Sequence, residues 1–146
     1  MTVGAAKNRP SLAHMERARR LLAHEGAAAS AGAEKCAGAA DSVYDKLYTH
    51  LAPLVGMAGV QALFVRSAKL AQGEFACLAE ASFHENSAKL RKCLEAQDPA
   101  VARESAAALF GTFFDLLTTF IGERLTTQAL RSAWPTIEAM APEENK

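Results

Sequence analysis

The chain has 146 residues, and 16 Lys plus Arg balance 16 Asp plus Glu. A chain of this length corresponds to one domain and buries about 68–70% of its unfolded surface, so it can fold without a metal or a disulfide. Leu and Ala together number 48, whereas Val and Ile number only eight. This bias favours helices and excludes a β-sandwich or β-barrel. The formal charge is zero, whereas a dedicated nucleic-acid binder is usually markedly basic.

The sequence predicts a cytoplasmic protein. Lys7 and Arg9 are followed by more charged residues and by no apolar run, so no secretory signal is expected. The most apolar stretch, 106–122, contains Asp115 and is shorter than the roughly 20 residues of a spanning helix, which predicts a core helix without membrane insertion. Three cysteines without a C-x-x-C pair are typical of a reducing cytosol. The alanine content is typical of a GC-rich bacterial genome.

An N-terminal helical arm is predicted at 11–24, because Ser11 can cap it and apolar residues recur at helical spacing. This stripe consists of Leu12, Met15, Ala18 and Leu22. Residues 26–40 are mostly Ala and Gly without a large apolar side chain, which predicts a flexible linker with at most partial helix. The arm and linker therefore occupy 1–40. We expect the arm's apolar stripe to be covered by its own bundle, by a second subunit or by a partner.

A bundle of further helices is predicted over 41–135. Asp41 can cap a helix that Pro53 ends or kinks, followed by a turn at 53–59. The later helices are predicted from Ala58, at 86–96, at 99–121 and at 122–135, and an acidic tail occupies 136–146. The Asp98-Pro99 pair is a strong helix start, since proline at the first helical position needs no donor. No internal repeat is evident. The predicted fold is all-α, a single bundle of five to six helices.

The helix at 99–121 is apolar over most of its circumference. Its aromatic side chains include Phe110, Phe113 and Phe114. Such a helix must be covered on most sides, either by its own bundle or by a partner subunit. We expect it to have more apolar surface than a small bundle covers, which favours a homodimer.

The sequence offers little chemistry for catalysis or metal binding. Cys77, Glu80 and His84 can share one side of a helix, but they supply only three ligands, and an exposed Glu–His pair is the simpler interpretation. Asp115 lies within the aromatic helix, and a buried carboxyl can act as an acid or base. A stripe of threonines beside it indicates contact with water or a hydroxyl group instead. We expect no metal and no cofactor.

Two arginines and a tryptophan mark the last helix as a candidate binding site. Arg124 and Arg131 can grip a carboxylate or phosphate, and Trp134 is a residue type common at interfaces. Alternatively, the arginines pair with surface acids while Trp134 closes the core. Arg66, in an otherwise apolar run, either extends along the bundle edge or reaches an anion.

The arm also has a predicted basic face that points outward. It consists of His14, Arg17, Arg20 and His24. Such a face can attract an anionic surface, although a solvated face with a Glu16–Arg20 pair is the simpler interpretation. The patch is too small to indicate specific nucleic-acid recognition.

Two functions follow from these patterns. The first is a non-enzymatic regulatory or adaptor module that binds another protein or a second copy of itself as a homodimer. The alternative is a helical sensor that holds a small apolar or anionic ligand in the bundle core, where an arginine fixes the head group. An enzyme would need Asp115 or the Cys77, Glu80 and His84 cluster.

Overall fold

The computed structural model describes residues 11–26, 32–76, 78 and 88–135. These residues form six helices and no strand, which confirms the all-α prediction. The helices are α1 (Leu12–His24), α2 (Ala33–Val55), α3 (Met57–Ala71), α4 (Ala88–Glu95), α5 (Pro99–Ile121) and α6 (Glu123–Ala133). Ser11 caps α1 as predicted, since its hydroxyl accepts from the backbone N–H of His14.

Helix α2 begins well inside the predicted linker. It starts at Ala33 rather than Asp41, so the expectation of a flexible linker up to Ala40 is wrong from Ala33 onward. The reason is burial of small side chains: Cys36, Ala37, Ala39 and Ala40 all lie in the core. Alanine is the best helix former and allows close approach of neighbouring helices, so no large apolar side chain is needed here. Residues 27–31 lie outside the described residues.

The connection between α2 and α3 is a single glycine rather than the predicted turn at 53–59. Pro53 lies in the last turn of α2, which continues to Val55. Gly56 has φ +84°, a conformation that other residues rarely adopt, and α3 begins at the next residue. Gly59 lies within α3, where a Cβ atom would come within 3.3 Å of the Val55 side chain.

The predicted starts of α3 and α5 and the predicted end of α6 agree closely with the structure. Pro99 is the first residue of α5, although the Asp98 side chain makes no capping hydrogen bond. Helix α6 ends at Ala133, just before Trp134 and Pro135. The predicted cap at Asn86 and the acidic tail at 136–146 lie outside the described residues.

The two long helices share a pattern of length, glycine end and buried positions that the sequence did not reveal. Helices α2 and α5 each have 23 residues and end at a glycine with positive φ, Gly56 or Gly122. Gly122 lies 66 residues after Gly56, and Pro99 lies 66 residues after Ala33. Buried positions match at the same offset: Cys36 with Ala102, Ala40 with Ala106, Val43 with Leu109, Tyr44 with Phe110, Leu47 with Phe113, and Leu51 with Leu117. All the paired residues are apolar or aromatic, but only two pairs, Ala40 with Ala106 and Leu51 with Leu117, are of the same residue type.

Contacts between the first half of the chain (α1 to α3) and the second half (α4 to α6) are reciprocal. Helix α1 packs mainly on α5, whereas α4 packs on α2, so each half's leading helix covers the long helix of the other half. Helices α3 and α6 each contact both long helices. Two halves related by an approximate twofold rotation would have this arrangement.

Helix α5 is the centre of the core. Phe113 stacks on Phe64 of α3 with ring centroids 4.2 Å apart, and Phe110 meets the same ring edge-on. By length and composition α5 is apolar enough to cross a membrane, but 61% of its most apolar window is buried inside the bundle. Such burial is typical of the core helix of a globular bundle.

Candidate interaction surfaces

Helix α1 is docked on α5 by a carboxylate. Asp115 accepts hydrogen bonds from the Ser11 backbone N–H at 2.9 Å and from the His14 ring nitrogen Nδ1. The His14 side chain is only 11% exposed and lies edge-on to Phe114. Asp115 therefore holds the start of α1, a role that the sequence did not predict. Its two partners occupy the carboxylate that was considered as a catalytic acid or base.

A second polar contact between α1 and α5 lies nearer the end of α1. Arg19 donates two hydrogen bonds to Glu104, at 3.1 and 2.8 Å. The hydrogen bond from Arg19 holds the pKa of Glu104 below its ordinary value, although partial burial opposes this effect. Both side chains are 39% exposed, so the pair orients α1 more than it stabilises it.

A polar cluster joins the end of α1 to α2 and α6. The Glu25 carboxylate accepts hydrogen bonds from Lys46 Nζ and from Trp134 Nε1, the latter at 2.8 Å. The Lys46 ammonium also lies 5.7 Å from the centre of the Trp134 ring, within range of a cation–π interaction. Burial raises the pKa of Glu25, but the hydrogen bonds from Lys46 and Trp134 outweigh it, so the pKa lies below its ordinary value.

The predicted basic face of α1 is only partly on the surface. His14 is buried, which corrects the prediction that it points outward, because Asp115 provides a partner for it. Arg17 is half-buried, whereas Arg20 and His24 are exposed. The buried face of α1 consists of His14, Ala18, Leu21 and Leu22. Leu12, predicted to be covered, is 82% exposed.

The aromatic residues predicted to bind a ligand or partner lie inside the bundle. Phe110, Phe113 and Phe114 have no exposed surface, and Trp134 is 1% exposed. The bundle therefore covers these three rings, whereas Phe120 at the end of the same helix is 66% exposed. Helices α1, α2, α3 and α6 all pack on α5, and 12 of its 23 residues are buried.

The three candidate arginines lie on the outer surface, away from these aromatic rings. Arg66 is exposed on α3, and Arg124 and Arg131 are exposed on α6. Arg66 and Lys69 border a shallow depression with Val65 and other α3 residues. The structure thus does not bring the predicted aromatic and cationic residues together in one site.

A set of exposed apolar side chains, here called the apolar end, lies on the residues that flank the two glycine connections and at the start of α1. It contains five of the seven large apolar side chains that are exposed among the described residues: Leu12, Leu54, Met57, Phe120 and Leu125. Leu54 and Leu125 line one groove, so the end of α2 lies beside the start of α6. Met57 follows Gly56 directly, and Phe120 precedes Gly122 by two residues. The contact between Ser11 and Asp115 brings Leu12 close to the last turns of α5.

The sequence did not identify these five side chains as a surface. Leu12 and Leu54 fall on predicted core stripes, and Phe120 belongs to the aromatic run. Met57 is 64% exposed and Phe120 is 66% exposed. The sequence did contain one indication of this surface, which is proximity to a helix-breaking glycine. Four of the five side chains lie within three residues of Gly56 or Gly122: Leu54, Met57, Phe120 and Leu125. A helix can extend beyond the elements that cover it near such an end.

A groove of about 400 Å³, here called the α2/α6 groove, adjoins the apolar end. Its lining residues are His50, Pro53, Leu54, Leu125, Gln128, Ala129, Arg131 and Ser132. No acidic residue is among these described lining residues. Only Arg131 of the predicted site residues contributes to it.

Potential nucleophiles and metal ligands have little support among the described residues. Cys36 is fully buried, and burial raises the pKa of its thiol, which disfavours the reactive thiolate. Burial also raises the pKa of Tyr44 to about 12. No group of three His, Cys, Asp or Glu side chains within the described ranges could hold a metal ion. Cys77, Glu80 and His84 lie outside those ranges.

No family model, curated protein or solved structure matches this chain.

Proposed function

We propose that the protein is a non-enzymatic regulatory or adaptor module that acts through protein–protein contact, and that its first partner is a second copy of itself. The observation that carries the proposal is the apolar end. Five large side chains between 41% and 82% exposed are unusual beside a core that buries Phe64, Phe110, Phe113, Phe114 and Trp134 almost completely.

The area of the apolar end supports a homodimer. If a large apolar side chain has about 200 Å² of surface, the five exposed fractions amount to about 600 Å². A standard interface buries about 800 Å² per partner, of which about 56–65% is apolar, or about 450–520 Å². The apolar end therefore supplies the apolar area of one side of such an interface.

The charges of the chain also favour self-association. The formal net charge is zero, so two copies do not repel each other over long range. Glu123 and Arg124 are exposed at the start of α6, beside the apolar end. In a twofold contact, the glutamate of one copy can pair with the arginine of the other.

The other expectations from the sequence remain proposals. They are a cytoplasmic location and the absence of a cofactor, a specific nucleic acid and membrane insertion. A ligand in the bundle core has less support, because the arginines meant to fix its head group are exposed on α3 and α6.

The proposal is tested by light scattering coupled to size-exclusion chromatography over a range of protein concentrations. We expect a dimer for the native chain. A Met57→Ser/Phe120→Ser double variant should weaken the dimer by about 100-fold or more. The matched control is Val101→Ser, which removes a 39% exposed side chain at the far end of α5 and should leave the dimer intact.

A native chain that is monomeric throughout the range would contradict the proposal. So would a double variant that dimerises as well as the native chain. Circular dichroism checks that both variants keep the helical content of the native chain.

A further inference from the structure

We propose that the α2/α6 groove binds a small carboxylate with an apolar tail, such as a medium-chain acyl carboxylate. The inference concerns a different ligand class from the dimer contact. The groove shares Leu54 and Leu125 with the apolar end, so the carboxylate would occupy it in the monomer, and its binding does not require dimerisation. It also differs from a ligand in the core, because the groove lies on the surface between two helices.

The polar residues of the groove are donors suited to an anion. Arg131 is exposed, and no acidic side chain among the described residues pairs with its guanidinium group. Gln128 and Ser132 lie within one turn of it on α6 and add neutral donors. Because no Asp or Glu among the described residues lines the groove, an incoming carboxylate meets a cation without a competing anion from them.

His50 provides a further polar group on the opposite wall. Its Nδ1 atom lies 3.0 Å from the Lys46 carbonyl oxygen, which cannot donate, so Nδ1 carries a proton and donates to it. On the neutral ring Nε2 is then an acceptor and does not donate to a carboxylate. The cation that a carboxylate meets in the groove is therefore Arg131, and His50 contributes only polar lining on the α2 side.

The remaining lining fits an apolar tail. Leu54 and Leu125 are 50% and 41% exposed, and Pro53 and Ala129 complete the apolar part of the surface. A volume of about 400 Å³ lies within the range of about 300–1,000 Å³ that small-molecule sites occupy. The groove thus combines an apolar surface with a cation beside it, the two features that an amphipathic carboxylate requires.

The sequence supplies a matched pair of arginines for the test. Arg124 and Arg131 are both exposed on α6, but only Arg131 lines the groove. Any attraction that depends on net charge alone is affected equally by Arg124→Gln and Arg131→Gln. Binding in the groove is affected by the second substitution only.

The experiment titrates sodium octanoate into the native chain and both variants, with backbone amide chemical shifts as the readout. The protein is kept dilute enough to be monomeric, so the outcome is independent of the dimer proposal. We expect a dissociation constant of about 1 mM or tighter, with shifts concentrated at residues 50–54 and 125–132. Arg131→Gln should weaken binding by about tenfold, and Arg124→Gln by less than about twofold.

Two further probes test the two halves of the ligand. Octan-1-ol lacks the carboxylate and should bind at least several-fold more weakly than octanoate, whereas acetate lacks the tail and should not bind measurably. The proposal is overturned if octanoate fails to bind the native chain, if octanol binds as well as octanoate, or if the two arginine variants lose affinity equally.

Discussion

Replacing Glu25 with alanine should loosen the junction of three helices. Glu25 follows α1 directly, and its carboxylate accepts hydrogen bonds from Lys46 on α2 and from Trp134 at the end of α6. Trp134 is 1% exposed, so its indole N–H is buried in the native chain and depends on the Glu25 carboxylate for an acceptor. The substitution therefore leaves a buried donor unpaired and separates an ion pair.

The magnitude follows from the burial of each partner. An unpaired buried donor costs about 1–3 kcal/mol. The Lys46 side chain is 41% exposed, so solvent screening reduces its ion pair to about 0–1 kcal/mol. We expect Glu25→Ala to lower the free energy of unfolding by about 2–3 kcal/mol in total. Glu25→Gln keeps an acceptor for the indole and should cost about 1 kcal/mol or less.

Urea unfolding at pH 7, followed by circular dichroism, measures these differences. A Trp134→Phe background supplies the control, because phenylalanine has no N–H group to leave unpaired. In that background Glu25→Ala should cost about 1–2 kcal/mol less than in the native chain. As Trp134 is the only tryptophan, its emission also reports directly on the cluster in the single variants.

The pH dependence provides a second test of the same cluster. The pKa of Glu25 in the folded chain lies below its ordinary value of 4.5. The stability from this shift is present above about pH 4.5 and is lost as the pH falls through the folded-state pKa. The stability difference between the native chain and Glu25→Gln should therefore narrow as the pH is lowered from 5 toward 3. Equal stabilities of the native chain, Glu25→Ala and Glu25→Gln at pH 7 would refute the reasoning.

Three other predictions concern the glycine connections, the core and α1. Gly56→Ala and Gly122→Ala should each destabilise the fold by about 1–2 kcal/mol because both positions have positive φ. The control Gly38→Ala, inside α2, should be neutral or stabilising by up to about 1 kcal/mol. Urea unfolding compares the three variants. Phe113→Ala should cost about 3–5 kcal/mol in the same assay, since the Phe113 side chain is fully buried. Hydrogen exchange should protect amides 15–22 of α1 about as well as those of 110–121, and exchange at the rate of a free peptide would contradict the docked position of α1.

Helix type and most helix ends could be read from the sequence, because they depend on local chemistry. Ser11 as a cap and Pro99 as a first helical residue act on their own backbone, so their effects do not depend on the rest of the fold. The Leu and Ala content likewise excludes a β fold before any packing is considered. These features gave a correct fold class.

Tertiary structure alone decided which faces are buried. His14 is buried because Asp115, 101 residues away, supplies a carboxylate partner, and no local pattern indicates that pairing. The alanine-rich start of α2 is ordered because small side chains pack closely there, although the sequence shows no large apolar residue that would hold it. Leu54 and Phe120 follow core patterns and are exposed, since their helices extend past the elements that cover them. Side-chain periodicity identifies an apolar face, but only the placement of neighbouring helices determines where that face is covered.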